Sequence, residues 1–290
     1  MKKLRYIFEA VLLYALFFIF KTMSPEMASN IGGWIGKTIG PKLAASRKAK
    51  KNITRALPDK TETEKNKIIK DMWENLGRII AEYPHLETLS LKNTQITYKG
   101  DTKLLTQSKT PMIFFGGHIG NWEVNCAATL TQMNRPATLT YRAPNNPFVA
   151  KLLDKTRTLN GRLTAYPKSR ESGRHLIKTL KNAKSIGILI DQKYAEGLNI
   201  PFFGYDAMTN PIFVQLCQKF KCPLIPIRNE RLSGCNFRLT IYPPINVMND
   251  DDTTRPIEDV IKESHKLLEE WITERPEQWL WLHRRWKNKT

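Results

Sequence analysis

The sequence has few cysteines, and their placement narrows the class of protein. The four cysteines form neither a CxxC pair nor the closely spaced framework of a small secreted protein, so we expect reduced thiols in a cytoplasmic compartment. No G-x-S-x-G motif is present, which argues against a nucleophile elbow built around serine. The sequence contains no internal repeat and no low-complexity linker, so we expect a folded chain without a flexible spacer.

Acidic residues are also scarce. They number 27 against 46 Lys and Arg, which gives a formal net charge of +19. Such a surplus implies an anionic partner, either nucleic acid, a phospholipid surface or an acidic carrier protein, and charge alone does not choose among them. Nearly half of the surplus lies within residues 1–56, beside the most apolar part of the chain.

The longest apolar run covers residues 6–20 and is interrupted only by Glu9. As a helix it would reach roughly 22 Å, short of the ~30 Å hydrocarbon core, although flanking lysines extend that reach. We predict a single retained N-terminal membrane anchor that either spans the bilayer or lies in its interface. A buried helix of a soluble domain is the alternative. Lys21 follows the run directly and no A-x-A site comes next, which argues against a signal peptide.

The segments that follow this run also suit a membrane surface. Residues 27–43 suit a second helix lying against the first or against the bilayer, and the basic run 47–51 suits phosphate headgroups. A further helix is predicted up to about Glu82. We therefore predict that residues 1–85 form a helical membrane-anchoring annex and that residues 86–290 form the main domain.

Apolar segments typical of strands alternate with helical ones from residue 111 onward. The predicted strands are residues 111–116, 137–142, 163–166, 185–190, 222–228 and 237–242. The predicted helices are residues 121–133, 147–159, 172–183, 210–220 and 256–274. This alternation indicates an α/β fold with a mainly parallel central sheet flanked by helices. Cys126 falls in one of these helices, where packing explains it better than reactivity.

The candidate catalytic segment is HIGNWE at residues 118–123, directly after a predicted buried strand. Its glycines permit a tight bend, and Asn121 can cap a helix that begins near Trp122. His118 and Glu123 cannot share a face of one helix, so they meet only if the chain bends between them. A neutral imidazole can then take a proton from a hydroxyl while the carboxylate orients it. The alternative is that His118 stabilises its own loop and Glu123 complements a helix dipole.

Other unusual side chains fall near strand ends, where sites gather in α/β proteins. Converging arginines would bind phosphate, whereas each one alone is an ordinary surface residue. Asp191 can pair with one of these arginines, position a substrate hydroxyl or only terminate a buried strand. The candidate substrate-binding residues of this group are Arg142, Asn145, Arg162, Asp191, Gln192 and Arg228.

Two apolar or aromatic segments complete the candidate site. Phe203, in PFFG at residues 201–204, is a candidate for lining an acyl channel, with core packing as the alternative. Arg284 lies in WLWLHRRWK at residues 279–287, which interleaves aromatic and basic side chains. Such a pattern is typical of RNA binding, of membrane-interface anchoring and of packing, and beside an anchor we favour interface or headgroup contact.

Taken together, these segments resemble the bacterial lipid A biosynthesis (lauroyl or myristoyl) acyltransferase family over nearly the whole chain. The resemblance implies transfer of a fatty acyl group from acyl carrier protein to a hydroxyl of an acyl chain on a lipid A precursor, at the cytoplasmic face of the bacterial inner membrane. It implies that His118 is the general base and Glu123 its orienting partner, with no metal and no cofactor besides the carrier-bound acyl co-substrate. The expected partners are an acidic acyl carrier protein, an anionic glycolipid and the membrane, not nucleic acid.

Two alternatives remain open from the sequence. In the first, the protein is an acyltransferase whose acceptor is another glycolipid, such as a phosphatidylinositol mannoside. In the second, the protein is a non-catalytic basic module that binds lipid or nucleic acid.

Overall fold

The computed structural model describes residues 2–91, 96–107, 110–125, 137–141, 143–167 and 170–286. The helices are α1 Lys2–Lys21, α2 Pro25–Ile39, α3 Ala45–Ala56, α4 Glu62–Glu82, α5 Leu86–Leu91, α6 Thr102–Gln107, α7 Pro147–Arg157, α8 Arg170–Lys181, α9 Ile212–Phe220 and α10 Ile257–Glu274. The strands are β1 Ile96–Gly100, β2 Ile113–Gly116, β3 Ala137–Tyr141, β4 Thr164–Pro167, β5 Ser185–Leu189, β6 Leu198–Phe202, β7 Tyr205–Thr209, β8 Leu224–Ser233 and β9 Asn236–Ile241.

One large sheet organises the described residues. Its strand order is β1-β9-β8-β2-β5-β3-β4, and every neighbouring pair runs parallel except β8 with β9. This confirms the prediction of a mainly parallel sheet flanked by helices. Because β2 and β5 are parallel neighbours, residues that follow their carboxyl ends meet at one edge of the sheet.

Apolar side chains cover both faces of this sheet. Phe115 packs on one face against Phe213 of α9, with the ring centroids 5.9 Å apart. The adjacent Phe114 belongs to the core on the other face, as the alternation of a strand requires. Both residues are almost fully buried. A central strand buried on both faces explains why β2 reads as a continuous apolar run.

The hairpin of β6 and β7 was not predicted from the sequence. β6 and β7 form a separate antiparallel hairpin joined by Phe203 and Gly204, both with positive φ (50° and 71°). Two positive φ values are typical of the tight turn that suits a hairpin's twist, and Phe is uncommon there. The prediction missed the hairpin because its turn lacks the usual Asn or Asp. Strand β1 was also missed.

The predicted helix 121–133 is corrected over its first residues. Trp122–Asn125 forms a short 3₁₀ turn, in which Glu123 N donates to Asn121 Oδ1 at 3.2 Å. The remainder of that predicted helix, with Cys126, lies outside the described residues. The other three cysteines are free and buried.

The N-terminal helices pack against the main domain and leave apolar side chains exposed. Leu4, Phe8 and Phe18 of α1 are each more than 70% exposed, and Trp34 of α2 is 69% exposed. Among the described residues, no helix is both long enough and apolar enough to cross a membrane. The predicted anchor and the boundary between annex and main domain stay predictions.

Candidate active site

The backbone bends sharply after β2, as predicted. Leu280 N donates to His118 O at 3.0 Å, and Gly120 N donates to Gln278 O at 3.1 Å. Gly120 has a φ of +61°, and a Cβ there would lie 2.3 Å from Asn229 Oδ1, so both conformation and space require glycine. The bend is therefore held between β8 and the segment at residues 276–286.

Helix α4 stabilises the bend through two side chains. Asn75 Nδ2 donates to Gly120 O at 3.0 Å, and Glu82 accepts from Asn121 Nδ2 at 2.6 Å. Glu82 is fully buried, and Arg231 of β8 forms an ion pair with it through two nitrogens, at 2.5 and 2.9 Å. Fully hydrogen-bonded buried charges of this kind fix one local arrangement of the chain.

The carboxylate that bonds to His118 is that of Asp191. His118 Nδ1 lies 2.7 Å from Asp191 Oδ1, while His118 N and Trp279 Nε1 donate to Asp191 Oδ2 at 2.8 and 2.7 Å. Burial opposes ionisation of Asp191, but the contacts with His118, together with the nearby His283, hold its pKa well below the ordinary value. An ionised carboxylate only accepts, so Nδ1 carries the proton and the Nε2 lone pair of a neutral His118 is available.

Glu123 has a different partner, which corrects the predicted His118–Glu123 pairing. Its carboxylate accepts from Arg157 Nε at 2.9 Å and Nη2 at 2.7 Å, from Trp122 Nε1 at 3.1 Å and from the Tyr83 hydroxyl. Burial opposes ionisation, but the Arg157 guanidinium holds the pKa of Glu123 below its ordinary value. The 3₁₀ turn points Glu123 toward α7. Glu123 therefore pairs with Arg157 while His118 pairs with Asp191, and both side chains lie beside one cavity.

Arg157 was not predicted. It ends α7, contacts the Tyr141 ring at 4.6 Å and lines the same cavity. Opposing Glu123 raises its pKa against the effect of burial. No local motif marks it, because its partner lies 34 residues away.

His118 and Glu123 both line a cavity of about 270 Å³ at this edge of the sheet. Tyr83, Arg157, Gln192 and His283 contribute further polar groups. The walls include the apolar side chains Phe114, Leu139, Ile188, Leu189 and Ile227. A concave, largely apolar space with a few convergent polar groups is typical of a small-molecule site.

Gln192 bridges two imidazoles in this cavity. Its Nε2 lies 3.1 Å from His118 Nε2 and 3.2 Å from His283 Nε2. The two rings stand edge to face with centroids 4.9 Å apart. Gln192 was predicted from the sequence, whereas His283 was missed although its neighbour Arg284 was selected.

The predicted convergence of arginines is not found among the described residues. Arg162 lies just before β4, as predicted, and its exposed guanidinium pairs with Glu87 at 3.7 Å. Arg228 lies inside β8, not at its end, and donates to Glu274 at 2.6 Å. Neither lines the cavity. Arg142 lies outside the described residues.

Two further predicted residues are exposed, and in each case the next residue along the chain makes the structural contact. Asn145 is exposed, whereas its neighbour Asn146 caps α7 and donates to Tyr6 O of α1 at 2.8 Å. Arg284 is exposed, whereas Arg285 is buried against Met208 O, and burial lowers the pKa of Arg285 to about 10.

Phe203 holds the β6–β7 turn. Its backbone N–H donates to Glu269 at 2.6 Å and its side chain packs on the main core, so the structure places it in packing and not in the cavity wall.

A His–Asp pair with a buried carboxylate, at the carboxyl edge of a parallel sheet and beside a cavity, is typical of an α/β enzyme. The family model of the bacterial lipid A biosynthesis acyltransferases matches residues 1–288, and the chain belongs to that family. It is 25% identical to a lipid A biosynthesis acyltransferase of Haemophilus influenzae, over 89% of this chain and 82% of that protein.

Two relatives in Escherichia coli differ in the acyl group that their names give. The chain is 24% identical to a lipid A biosynthesis palmitoleoyltransferase, over 83% of this chain and 78% of the relative. It is also 24% identical to a lipid A biosynthesis lauroyltransferase, over 82% and 78%. The family supports acyl transfer in lipid A biosynthesis, and the names of the relatives span more than one acyl chain.

Proposed function

We propose that the protein transfers a fatty acyl chain from an acyl carrier protein thioester to a hydroxyl on an acyl chain of a lipid A precursor, with His118 as general base. The observation that carries this proposal is the His118–Asp191 pair beside the cavity. Asp191 fixes the proton on Nδ1 and leaves Nε2 as the acceptor for a hydroxyl proton.

A thioester is already activated, so direct attack by the hydroxyl needs no covalent acyl-enzyme. His118 Nε2 takes the hydroxyl proton as the new C–O bond forms, and the negative charge of Asp191 stabilises the imidazolium. The tetrahedral intermediate then collapses, the C–S bond breaks, and the imidazolium returns its proton to the departing thiolate.

The cavity walls suit an acyl chain. Phe114, Leu139 and Ile227 lie on one face of the sheet and present apolar surface to the cavity. Burial of methylene groups against such walls contributes about 0.8 kcal/mol each. The length of the transferred chain is set by the depth of this apolar part.

The surroundings suit an acceptor that arrives from a membrane. α1 contacts α7 through the Asn146–Tyr6 hydrogen bond, and buried Phe17 of α1 lies 6.1 Å, centroid to centroid, from Tyr83 of the cavity wall. Helix α1, which also carries exposed apolar side chains, therefore packs against elements that line the cavity. We propose that these exposed side chains lie in the membrane interface at the cytoplasmic side, and that the surplus positive charge attracts the acidic carrier and the lipid phosphates.

The test is an acyl transfer assay with purified protein, a lipid A precursor and a panel of carrier-linked acyl chains. His118→Ala is expected to lower kcat by about 10²- to 10⁴-fold, the usual contribution of a general base. His175→Ala is the matched control, because His175 stacks on Tyr166 at 4.1 Å and does not line the cavity.

Normal turnover by His118→Ala would exclude the proposed base. Mass spectrometry of lipids from cells that lack the protein identifies the acceptor, since the proposal requires a lipid A short of one acyl chain. An unchanged lipid A together with a changed mannoside lipid would instead assign another glycolipid.

A further inference from the structure

The bend at His118 provides no oxyanion hole from its own backbone. The N–H groups of residues 118 to 121 donate, in order, to Asp191, to Gly117 O, to Gln278 O and to Asn229. Acyl transfer builds negative charge on the thioester carbonyl oxygen, and donors aimed at that oxygen are usually a large part of the catalysis. A donor other than these four N–H groups must therefore face that oxygen, and the candidates are the side chains near His118.

Most donors around the imidazole are already committed to strong acceptors. Trp122 Nε1 donates to the ionised Glu123 carboxylate, and Trp279 Nε1 donates to Asp191. Arg157 holds Glu123 through Nε and Nη2, its third nitrogen Nη1 is buried without a hydrogen-bond partner, and none of the three bonds to His118.

Gln192 differs in the acceptors that it bonds. Its amide N–H groups face two imidazole nitrogens, His118 Nε2 at 3.1 Å and His283 Nε2 at 3.2 Å. The reaction requires the first of these contacts to open, because the acceptor hydroxyl must bond to His118 Nε2. The second contact survives, so the amide remains anchored while one N–H is released next to the reacting atoms.

We propose that Gln192 donates to the oxyanion in the tetrahedral intermediate and that His283 is a positioning residue that holds the amide there. This rests on the acyl transfer proposed above. As the hydroxyl oxygen bonds to the carbonyl carbon, its proton passes to His118 Nε2 and the carbonyl electron pair moves to oxygen, which accepts the freed N–H of Gln192. On collapse the C=O bond re-forms, the C–S bond breaks, and the thiolate takes the proton from His118.

The main test is Gln192→Met, which keeps the length of the side chain and removes the N–H groups. A donor used only in the transition state lowers kcat and kcat/KM together, so kcat should fall about 10²- to 10³-fold while the KM for each substrate changes little. Gln218→Met is the matched control. Gln218 lies in α9, donates to Val247 O and Arg255 O and does not line the cavity. It should keep the wild-type kcat.

The anchoring role of His283 is tested with two variants. His283→Phe keeps the ring edge against His118 but removes the acceptor nitrogen, and it should lower kcat. His283→Gln keeps an acceptor and should recover most of the loss. The double variant Gln192→Met/His283→Phe should be no slower than Gln192→Met alone, because His283 acts through Gln192.

Each outcome separates the two proposals. Gln192→Met with a wild-type or higher kcat would overturn the oxyanion role, since a higher rate means that the amide only blocks the base. Fully additive losses in the double variant would overturn the role of His283. If the wild-type protein transfers no acyl chain, or His118→Ala turns over normally, the failure belongs to the proposed function instead.

Discussion

Asp191 makes the contacts that orient His118, the base of the proposed reaction. It accepts from the His118 ring, the His118 backbone and Trp279, all within 2.8 Å, and it is fully buried. Because all of these partners are donors, the tautomer of His118 has one solution. The imidazole follows β2, and its orientation thus depends on a carboxylate that follows β5.

Asp191→Asn should lower kcat by about 10³-fold or more, because an amide cannot stabilise the imidazolium and places an N–H against two other donors. The KM values should change much less, since the cavity walls are untouched. Steady-state kinetics with a circular dichroism spectrum as a folding control is the measurement. A variant with full kcat would show that the His118–Asp191 contact has only a structural role.

Glu123→Gln is expected to affect stability first. It leaves Arg157 buried without a counter-charge, and breaking a buried pair in this way costs about 3 kcal/mol or more of unfolding free energy. The folded-state pKa of Glu123 lies below its ordinary value of 4.5, so the ion pair contributes fully above that pH. Its contribution is lost as the pH falls through the folded pKa.

Urea unfolding at several pH values checks this expectation. The difference between wild type and Glu123→Gln should be largest at about pH 6 to 7 and should shrink below about pH 4.5. A difference that stays constant over the whole range would show that the carboxylate charge is not what stabilises the fold.

At the scale of elements, α2 and α4 are joined by a stripe of small residues. A Cβ on Gly36 would lie 2.1 Å from Trp73 O, and one on Gly77 would lie 2.1 Å from Gly32 O. The two backbones therefore approach too closely for any side chain at these positions. Because α4 also supports the His118 bend through Asn75, the spacing of these helices affects the site.

Gly36→Ala should destabilise the protein by about 1–3 kcal/mol, because the methyl group forces the helices apart. Gly173→Ala is the matched control: Gly173 lies in α8 with no atom within 4 Å of an added Cβ. That change should be stabilising by roughly 0.5–1 kcal/mol. Thermal unfolding of both variants is the measurement, and equal shifts of the two would refute the close contact.

The order of elements was more predictable than the pairing of side chains. The apolar periodicity identified β2 and β5 and placed His118 and Asp191 directly after them, since burial on both faces leaves a clear signal. Their hydrogen bond depends on which strands are neighbours, and sequence spacing does not contain that information. The Glu123–Arg157 pair was hidden for the same reason.

β8 shows a different limit. Its residues 228–231 are Arg, Asn, Glu and Arg, all buried, and the polarity of this run led to the prediction that the strand ended at Arg228. The strand continues because the charges are paired, Glu230 with Arg238 and Arg231 with Glu82. Partners that lie far apart in sequence make the polar run compatible with burial.

At the scale of the whole molecule, α1 and α2 expose apolar side chains and the chain carries a surplus of positive charge. Anionic vesicles offer both a hydrocarbon boundary and negative charge, so we expect the full chain to bind them. Full burial of a Phe side chain is worth about 1.5–3 kcal/mol. Phe8→Ser with Phe18→Ser should therefore weaken vesicle binding at least about tenfold.

Vesicle flotation with the double variant measures this loss. Tyr194→Ser is the control, because Tyr194 is a partly exposed aromatic residue that follows β5 and is not part of α1 or α2. It should float with the vesicles as the wild type does. Equal flotation of the double variant and the wild type would show that the α1 face does not enter the membrane.

The segment at residues 276–286 also affects when the site can form during synthesis of the chain. It supplies the acceptor for Gly120 N, the donor to His118 O and the indole that bonds Asp191. A ribosome adds this segment after every strand of the sheet, so a nascent chain carries His118 and Asp191 long before the groups that lock them. We therefore expect a growing polypeptide to lack the ordered His118–Asp191 pair until its synthesis has passed Leu280.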